Sequence, residues 1–128
     1  MGSAPATETI LVVDDEPHVR TLVSAILKRL GYNVLVAQDG QDALRISRKH
    51  AGPIHLVLTD LLMAPGMSGL ETATRLATQR PGTPVLYMSD SGIMKTAFKE
   101  QPELQFIDKP FSAEALVRKV RALLHPAG

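Results

Sequence analysis

The chain has 128 residues, 45% hydrophobic and 21% charged, with 9 glycines and 9 prolines, which fits one folded domain and excludes disordered, collagen-like and coiled-coil chains. Its 14 basic and 13 acidic residues nearly cancel, so a broad basic surface for nucleic acid is not indicated. The absence of cysteine excludes disulfides, thiolate metal sites and thiol catalysis.

Five short apolar runs predict β-strands. They lie at 10–13, 34–36, 56–58, 85–88 and 106–107. Their apolarity is continuous rather than alternating, which is typical of parallel strands covered by helices on both faces.

Helical periodicity occupies the segments between these runs. Apolar residues spaced three and four apart predict helices at 19–30, 70–77 and 116–124, and weaker patterns lie at 40–50 and 92–100. Gly31 is placed to end the first helix, and Ser112 to cap the start of the last. We therefore predict an α/β fold, a (βα)5 doubly wound parallel sheet of five strands.

The domain boundaries follow from these elements. We expect one domain over residues 8–125, with a disordered N-terminal tail at 1–7 and a C-terminal tail at 126–128. No signal peptide is visible, and every apolar run is far shorter than the roughly 20 residues needed to cross a bilayer. We therefore expect a cytoplasmic domain.

Polar side chains follow the predicted strands at the sheet edge where ligands bind in such folds. These residues are Asp14, Asp15 and Glu16; Asp60; Ser89 and Asp90; and Asp108 and Lys109. Each has an ordinary structural interpretation when taken singly. Asp15, Glu16 or Ser89 could cap a helix, Asp60 could be a turn residue, and Lys109 could be a solvated surface lysine. Their convergence at one edge is harder to explain structurally.

Carboxylates brought together at this edge should need a cation. Two unit charges ~4 Å apart repel by about 4 kcal/mol at an effective dielectric near 20. Oxygen ligands without histidine or cysteine favour Mg²⁺, and Lys109 would add a fixed positive charge. A metal and a lysine can neutralise phosphoryl oxygens while a carboxylate attacks in line, so the set predicts phosphoryl chemistry.

The motifs, taken in order, resemble the receiver domain of two-component response regulators and hybrid sensor histidine kinases over about residues 8–125. The matching motifs are Val12-Val13-Asp14-Asp15-Glu16, Leu58-Thr59-Asp60-Leu61-Leu62-Met63, Gly66-Met67-Ser68-Gly69, Leu86-Tyr87-Met88-Ser89 and Phe106-Ile107-Asp108-Lys109-Pro110-Phe111. The resemblance implies a flavodoxin-like sheet with strand order 2-1-3-4-5.

The resemblance also implies a role for each matching position. Asp60 would be the phosphoacceptor, with Ser89 and Lys109 as the other catalytic groups. Ser89 and Phe106 would move together as the switch, and the Lys109–Pro110 peptide would be cis. The implied Mg²⁺ ligands are Asp14, Asp15, Asp60 and the Leu62 main-chain carbonyl.

The implied function is that of a phosphorelay receiver. The domain would take a phosphoryl group from a histidine kinase or histidine phosphotransfer protein and change its surface for a downstream protein or a fused domain. It would catalyse only its own phosphorylation and dephosphorylation. We expect no contact with nucleic acid or membrane, and a monomer or weak dimer. A stand-alone receiver and a piece of a longer regulator or hybrid kinase both fit.

Several positions depart from the family pattern. Ala64 is an insertion in the loop after Asp60, and His55 stands where an aspartate often opens the third strand. Asp90 is atypical, because a small residue usually follows the switch hydroxyl, and we favour an outward over an inward orientation for it. The interval from Ser89 to Lys109 is about two residues short, which predicts a short fourth helix. These departures leave open a degenerate receiver that acts as a phosphorylation-independent interaction module.

Three other classes fit less well. A P-loop NTPase requires a glycine-rich lysine motif that is absent. A flavodoxin-like cofactor site would not place Asp14, Asp15 and Glu16 where a phosphate must bind. A phosphatase with an aspartate nucleophile would carry that residue on the first strand rather than the third.

Overall fold

Five parallel strands form one sheet. The computed structural model describes residues 7–63, 66–90 and 104–126. The strands are β1 (Thr9–Val13), β2 (Asn33–Ala37), β3 (Leu56–Asp60), β4 (Val85–Asp90) and β5 (Gln105–Lys109). Their order is β2-β1-β3-β4-β5, and every neighbouring pair is parallel. The predicted fold class, strands and strand order are confirmed.

The described part of the chain has four helices, of which three connect strands and the fourth follows β5. They are α1 (Pro17–Arg29), α2 (Gly40–Lys49), α3 (Gly69–Gln79) and α4 (Ala113–Leu124). Each agrees with a predicted helix. The helix predicted at 92–100, and with it the expected shortening, lies outside the described residues, as do Ala64 and the tail residues 1–6 and 127–128.

Local sequence explains where these helices begin and end. Asp39, Ser68 and Ser112 cap α2, α3 and α4, because each side chain accepts a hydrogen bond from the N–H three residues ahead. The end of α1 is a Schellman motif: Gly31, with φ of +94°, donates to Lys28 O and Tyr32 donates to Leu27 O. A positive φ is accessible to glycine without steric cost, which explains Gly31 at this turn.

The sheet buries both of its faces, which accounts for the continuous apolar runs. On β1, Ile10 and Val12 pack on the α1 and α4 side, and Leu11 and Val13 pack on the α2 and α3 side. All four are fully buried. None of the helices in the described ranges combines the length and apolarity that crossing a bilayer requires.

The two ends of the domain meet at the amino edge of the sheet. Glu8 precedes β1 and His125 follows α4, and the two side chains are in contact, with 2.9 Å between Oε2 and Nε2. The residue before β1 and the residue after α4 therefore lie together, at the sheet edge opposite the carboxyl ends of the strands.

Candidate functional site

The polar residues singled out in the sequence converge at the carboxyl edge of the sheet. Asp14 directly follows β1, Asp60 and Lys109 are the last residues of β3 and β5, and Ser89 is in β4. Register places Asp60 beside Met88, and Ser89 beside Asp108, on neighbouring strands. The turn-residue interpretation of Asp60 and the cap interpretation of Ser89 are therefore wrong, because both residues belong to strands.

Three carboxylates form a cluster at this edge. One oxygen each from Asp14, Asp15 and Asp60 lie within 4.8 Å of one another. Asp14 is fully buried, Asp60 is largely buried, and Asp15 is exposed. The cluster therefore opens to solvent on the Asp15 side, and its hard oxygen donors fit Mg²⁺.

Lys109 pairs with two of these carboxylates. Its Nζ lies 3.1 Å from Asp14 Oδ2 and 3.2 Å from Asp60 Oδ1, and its side chain is 19% exposed. Burial alone would lower the pKa of Lys109, but hydrogen bonding and attraction to Asp14 and Asp60 outweigh it and raise the pKa above its ordinary value. Lys109 is therefore a fixed cation of the site and not a solvated surface lysine.

Asp60 is the perturbed acid of the cluster. Burial, and after it the repulsion from Asp14, raise the pKa of Asp60 to about 6, although Lys109 acts in the opposite direction. At neutral pH the group is therefore ionised, but its charge is costly. Any reaction or ligand that neutralises this carboxylate therefore lowers the free energy of the folded protein.

Asp14 is held in place by three contacts. Its Oδ1 accepts a hydrogen bond from Glu16 N–H at 2.9 Å, and its Oδ2 accepts one from Lys109. Arg20 Nη1 donates to its main-chain oxygen at 2.6 Å. Glu16 occupies the N-cap position of α1, but its side chain makes no capping hydrogen bond. The capping interpretation of this acidic run is therefore wrong for Glu16.

Gly69 packs directly behind Asp60. A β-carbon at Gly69 would overlap the main-chain oxygen of Asp60 and crowd Leu61, and Gly69 N–H donates to Leu61 O at 2.7 Å. The N-terminus of α3 therefore lies against the end of β3. The motif Gly66-Met67-Ser68-Gly69 does not indicate this role of Gly69. Arg20 has no sequence signal at all, because its partner is a main-chain carbonyl.

Ser89 and Phe106 lie on the same face of the sheet. Tyr87 pairs in register with Phe106, and Ser89 is two residues from Tyr87, so the three side chains share a face. Ser89 is buried, and its Oγ has no hydrogen-bond partner among the described residues. The Phe106 ring packs against Tyr87 at a centroid distance of 6.0 Å.

The remaining predicted positions lie around this core of the site. Asp90 is exposed and adjacent to Ser89 in β4, so its side chain lies on the other face of the sheet, where its register partner Lys109 lines the same pocket. Its outward orientation stays a prediction. Leu62, whose carbonyl was an expected ligand, has an exposed side chain. The Lys109–Pro110 peptide is cis, as expected.

His55 has a structural role. Its Nδ1 accepts a hydrogen bond from Thr9 N–H at 2.9 Å, and its own N–H donates to Thr9 O at 2.8 Å. Both contacts join the start of β3 to the start of β1. His55 therefore ties the residue before β3 to the start of β1.

Comparison with known proteins identifies the family. The model of the response regulator receiver domain matches residues 10–121. The chain is a response regulator receiver domain. It is accordingly a phosphorelay receiver of two-component signal transduction, a phosphoacceptor class whose members bind Mg²⁺ at an acidic cluster.

Similar curated proteins are larger regulators. Residues of this chain are 36% identical over 122 positions to the probable transcriptional regulatory protein TcrX of Mycobacterium tuberculosis, covering 94% of this receiver and 51% of that protein. The transcriptional regulatory protein TrcR of the same organism is 38% identical over 117 residues, covering 90% and 44%. The receiver spans about half the length of these relatives.

Similar solved structures have the same fold. Chemotaxis protein CheY4 of Vibrio cholerae superposes with a TM-score of 0.77 at 32% identity, covering 93% of this receiver and 100% of that chain. The receiver domain of the hybrid histidine kinase CckA gives 0.77 at 31% identity, covering 91% and 99%.

Proposed function

We propose that Asp60 is the phosphoacceptor of this receiver and that its donor is a histidine kinase or a histidine phosphotransfer protein. The observation that carries the proposal is the Asp60 carboxylate itself, ionised at neutral pH, with a pKa raised to about 6 and in contact with Lys109 Nζ. A buried carboxylate beside a fixed cation can act as a nucleophile. The cation is already in place to neutralise the charge of the phosphoryl group that the carboxylate receives.

The proposed transfer is an in-line displacement. An oxygen of the Asp60 carboxylate attacks phosphorus, the bond between phosphorus and the donor imidazole nitrogen breaks, and that nitrogen keeps the electron pair. The product is an acyl phosphate on Asp60. Lys109 keeps its charge throughout, since its pKa is raised, and it is placed to neutralise a phosphoryl oxygen.

The proposed Mg²⁺ ligands are the carboxylates of Asp14, Asp15 and Asp60 and the main-chain carbonyl of Leu62. Support comes from the donor set, since three carboxylate oxygens lie within 4.8 Å of one another. The bound ion would supply positive charge at the phosphoryl oxygens. Asp14, fixed by Glu16, Lys109 and Arg20, would hold its ligand oxygen in a constant position.

Ser89 and Phe106 are the proposed switch. The Ser89 hydroxyl has no hydrogen-bond partner in the described ranges, so it has a donor free for a phosphoryl oxygen. Phe106 lies on the same face and would fill the space that Ser89 vacates. Structures with and without beryllofluoride test this coupling, because unchanged Ser89 and Phe106 side chains in both would contradict it.

Phosphorylation from a small donor tests the phosphoacceptor. Wild-type protein, Asp60→Asn and Asp39→Asn are incubated with acetyl phosphate and Mg²⁺, and intact mass is read. Asp39→Asn is the matched control, because it makes the same change at a helix cap where asparagine serves equally well. We expect labelling of the wild type and the control and none of Asp60→Asn. Equal labelling of all three would reject Asp60.

The output partner is proposed from the relatives. Several are named transcriptional regulators, and this receiver spans about half of their length. We propose that the phosphorylated face acts on a fused effector domain or a separate downstream protein. The degenerate-receiver alternative has no observation in its favour, because the acidic cluster and Lys109 are all in place. Cytoplasmic localisation stays a prediction.

A further inference from the structure

The outer edge of β2 is unpaired in the described part of the chain. β2 is the first strand of the sheet and pairs with β1 on one side only. Natural edge strands usually carry a charged residue, a proline or a bulge that prevents further pairing. β2 reads Asn33-Val34-Leu35-Val36-Ala37 and has no charge and no proline, so this edge can accept another strand.

The main-chain groups that face outward can be identified from the β1 pairing. Asn33 N–H donates to Glu8 O, and Ala37 O accepts from Asp14 N–H. Main-chain groups alternate in direction along a strand, so Asn33, Leu35 and Ala37 face β1. Val34 and Val36 therefore direct their N–H and C=O groups away from the sheet, offering two donors and two acceptors.

A groove runs beside this edge, between α1 and β2. It has a volume of about 430 Å³ and is lined by Arg20, Thr21, Ser24, Ala25, Lys28 and Val36. Small side chains from α1 form its wall, which leaves room for a chain next to the strand. Arg20 and Lys28 place a cation toward each end.

The charged side chains that line this groove are positive. They are Arg20 and Lys28, and no acidic side chain of the described residues lines it. Arg20 also donates through Nη1 to the main-chain oxygen of Asp14. An acidic partner is therefore favoured over a neutral or basic one.

We propose that the outer edge of β2 binds an extended acidic peptide segment of a partner protein as a sixth strand. The spacing fits, because Arg20 and Lys28 lie eight residues apart on α1, a rise of about 12 Å, and four residues of extended chain cover about 13 Å. Acidic residues at the first and fifth positions would pair with these cations. An apolar residue midway would contact Val36, and the main chain would bond to Val34 and Val36.

A short peptide tests this binding directly. The probe is a fluorescently labelled seven-residue peptide with glutamate at its second and sixth positions, valine at its fourth and threonine at its third and fifth. Its binding to the whole chain is measured by fluorescence anisotropy at about 0.15 M ionic strength. We expect saturable binding, slower hydrogen exchange at Val34 and Val36, and at least tenfold weaker binding of the same peptide with lysine replacing glutamate.

Two matched variants test the position of the groove. Lys28→Glu should weaken the binding about tenfold, and Arg29→Glu less than about threefold, because Arg29 makes the same charge change in the same helical turn but does not line the groove. Val36→Pro should abolish binding, since it removes an outward N–H but no bond to β1. Val36→Thr should keep it.

Three outcomes would overturn the proposal. They are no binding of the acidic peptide, equal binding of the lysine peptide, and equal effects of Lys28→Glu and Arg29→Glu. A concentration-dependent dimer that is abolished by Val36→Pro, together with no peptide binding, would instead assign this edge to a second copy of the chain. Should Val36→Pro fail to fold, the Lys28 and Arg29 pair decides the outcome alone.

Discussion

Asp60 carries a charge that the fold holds at a cost. Its pKa in the folded protein is about 6, against 3.8 for an unperturbed aspartate. Below the lower value the group is protonated in both states and costs nothing. Between the two values only the unfolded chain is ionised, so the free energy of unfolding falls as pH rises through this range and stays low above pH 6.

Asp60→Asn should therefore stabilise the protein at neutral pH. We expect the free energy of unfolding to rise by about 3 kcal/mol at pH 7.5, because the pKa displacement from 3.8 to about 6 corresponds to about 1.4 kcal/mol per pH unit. The gain should fade as pH falls toward 4. Urea denaturation in EDTA measures both, with Asp39→Asn as the control that should show no gain. A constant difference across this range would contradict the raised pKa.

Asp90 should have little influence on phosphorylation. Its side chain lies on the same sheet face as Lys109, but it is exposed, so solvent screens its charge from the phosphoryl site. We expect Asp90→Ala to change the initial rate of phosphorylation from acetyl phosphate by less than about twofold, even at low ionic strength. A clearly faster variant, with the gain reduced by salt, would show that the carboxylate turns toward the site.

The sequence predicts the reacting side chains better than the residues that hold them. Asp14, Asp60 and Lys109 follow apolar runs, and parallel strands bring such positions to one edge, so their meeting could be expected. Arg20 could not be expected, because it bonds to a main-chain oxygen. Main-chain partners have no side-chain signature, so no pattern along the chain indicates them.

At the scale of elements, the contact between α3 and β3 sets the position of Asp60. Gly69→Ala should lower the free energy of unfolding by about 1–3 kcal/mol, because its β-carbon would overlap the Asp60 main-chain oxygen, and overpacking against backbone is not readily relieved. It should also slow labelling by acetyl phosphate, since the displaced strand end carries Asp60. Urea denaturation and labelling rates measure these effects.

Gly52→Ala is the matched control for this substitution. A β-carbon at Gly52 would meet only the His50 ring, at an ordinary distance of 3.4 Å. Its effect on stability should be below about 1 kcal/mol, with labelling unchanged. Similar losses in both variants would mean that the tight contact at Gly69 is not what positions Asp60.

Element boundaries show where sequence patterns lose information. The apolar runs located all five strands, but the observed strands extend past them by mainly polar residues such as Thr9, Thr59 and Gln105. A polar residue at a strand end resembles a loop residue, so the pattern ends early. Arg80 could not be predicted either, because its guanidinium donates to Ser47 Oγ and to the main-chain oxygens of Ser47, His50 and Gly52, in the last turns of α2 and just beyond it.

At the scale of the whole molecule, Mg²⁺ should act as a stabilising ligand. An ion that binds only the folded state raises its stability by mass action, by about 1.4 kcal/mol at ten times its Kd. The ion would also reduce the mutual repulsion of the three carboxylates in the acidic cluster. We expect Tm to rise with Mg²⁺ in the wild type and much less in Asp15→Asn, with Asp39→Asn behaving as the wild type. Equal shifts in all three would place the ion elsewhere.

The fold class could be predicted from the sequence because the strand patterns and the helix patterns indicate the same architecture. Continuous apolar strands require cover on both faces, and the amphipathic helices between them supply it. This consistency leaves few other topologies for a chain of this length.

The contact between Glu8 and His125 has a consequence for how such a domain can be combined with other proteins during evolution. A unit whose entry and exit points touch can be inserted into a loop of another protein, or appended to either end, without stretching the host backbone. The point of attachment lies at the pole opposite Asp60. Fusion at that pole leaves the phosphorylation site accessible to phosphoryl donors. The geometry therefore allows the same receiver to be joined to different proteins without a change in its reaction.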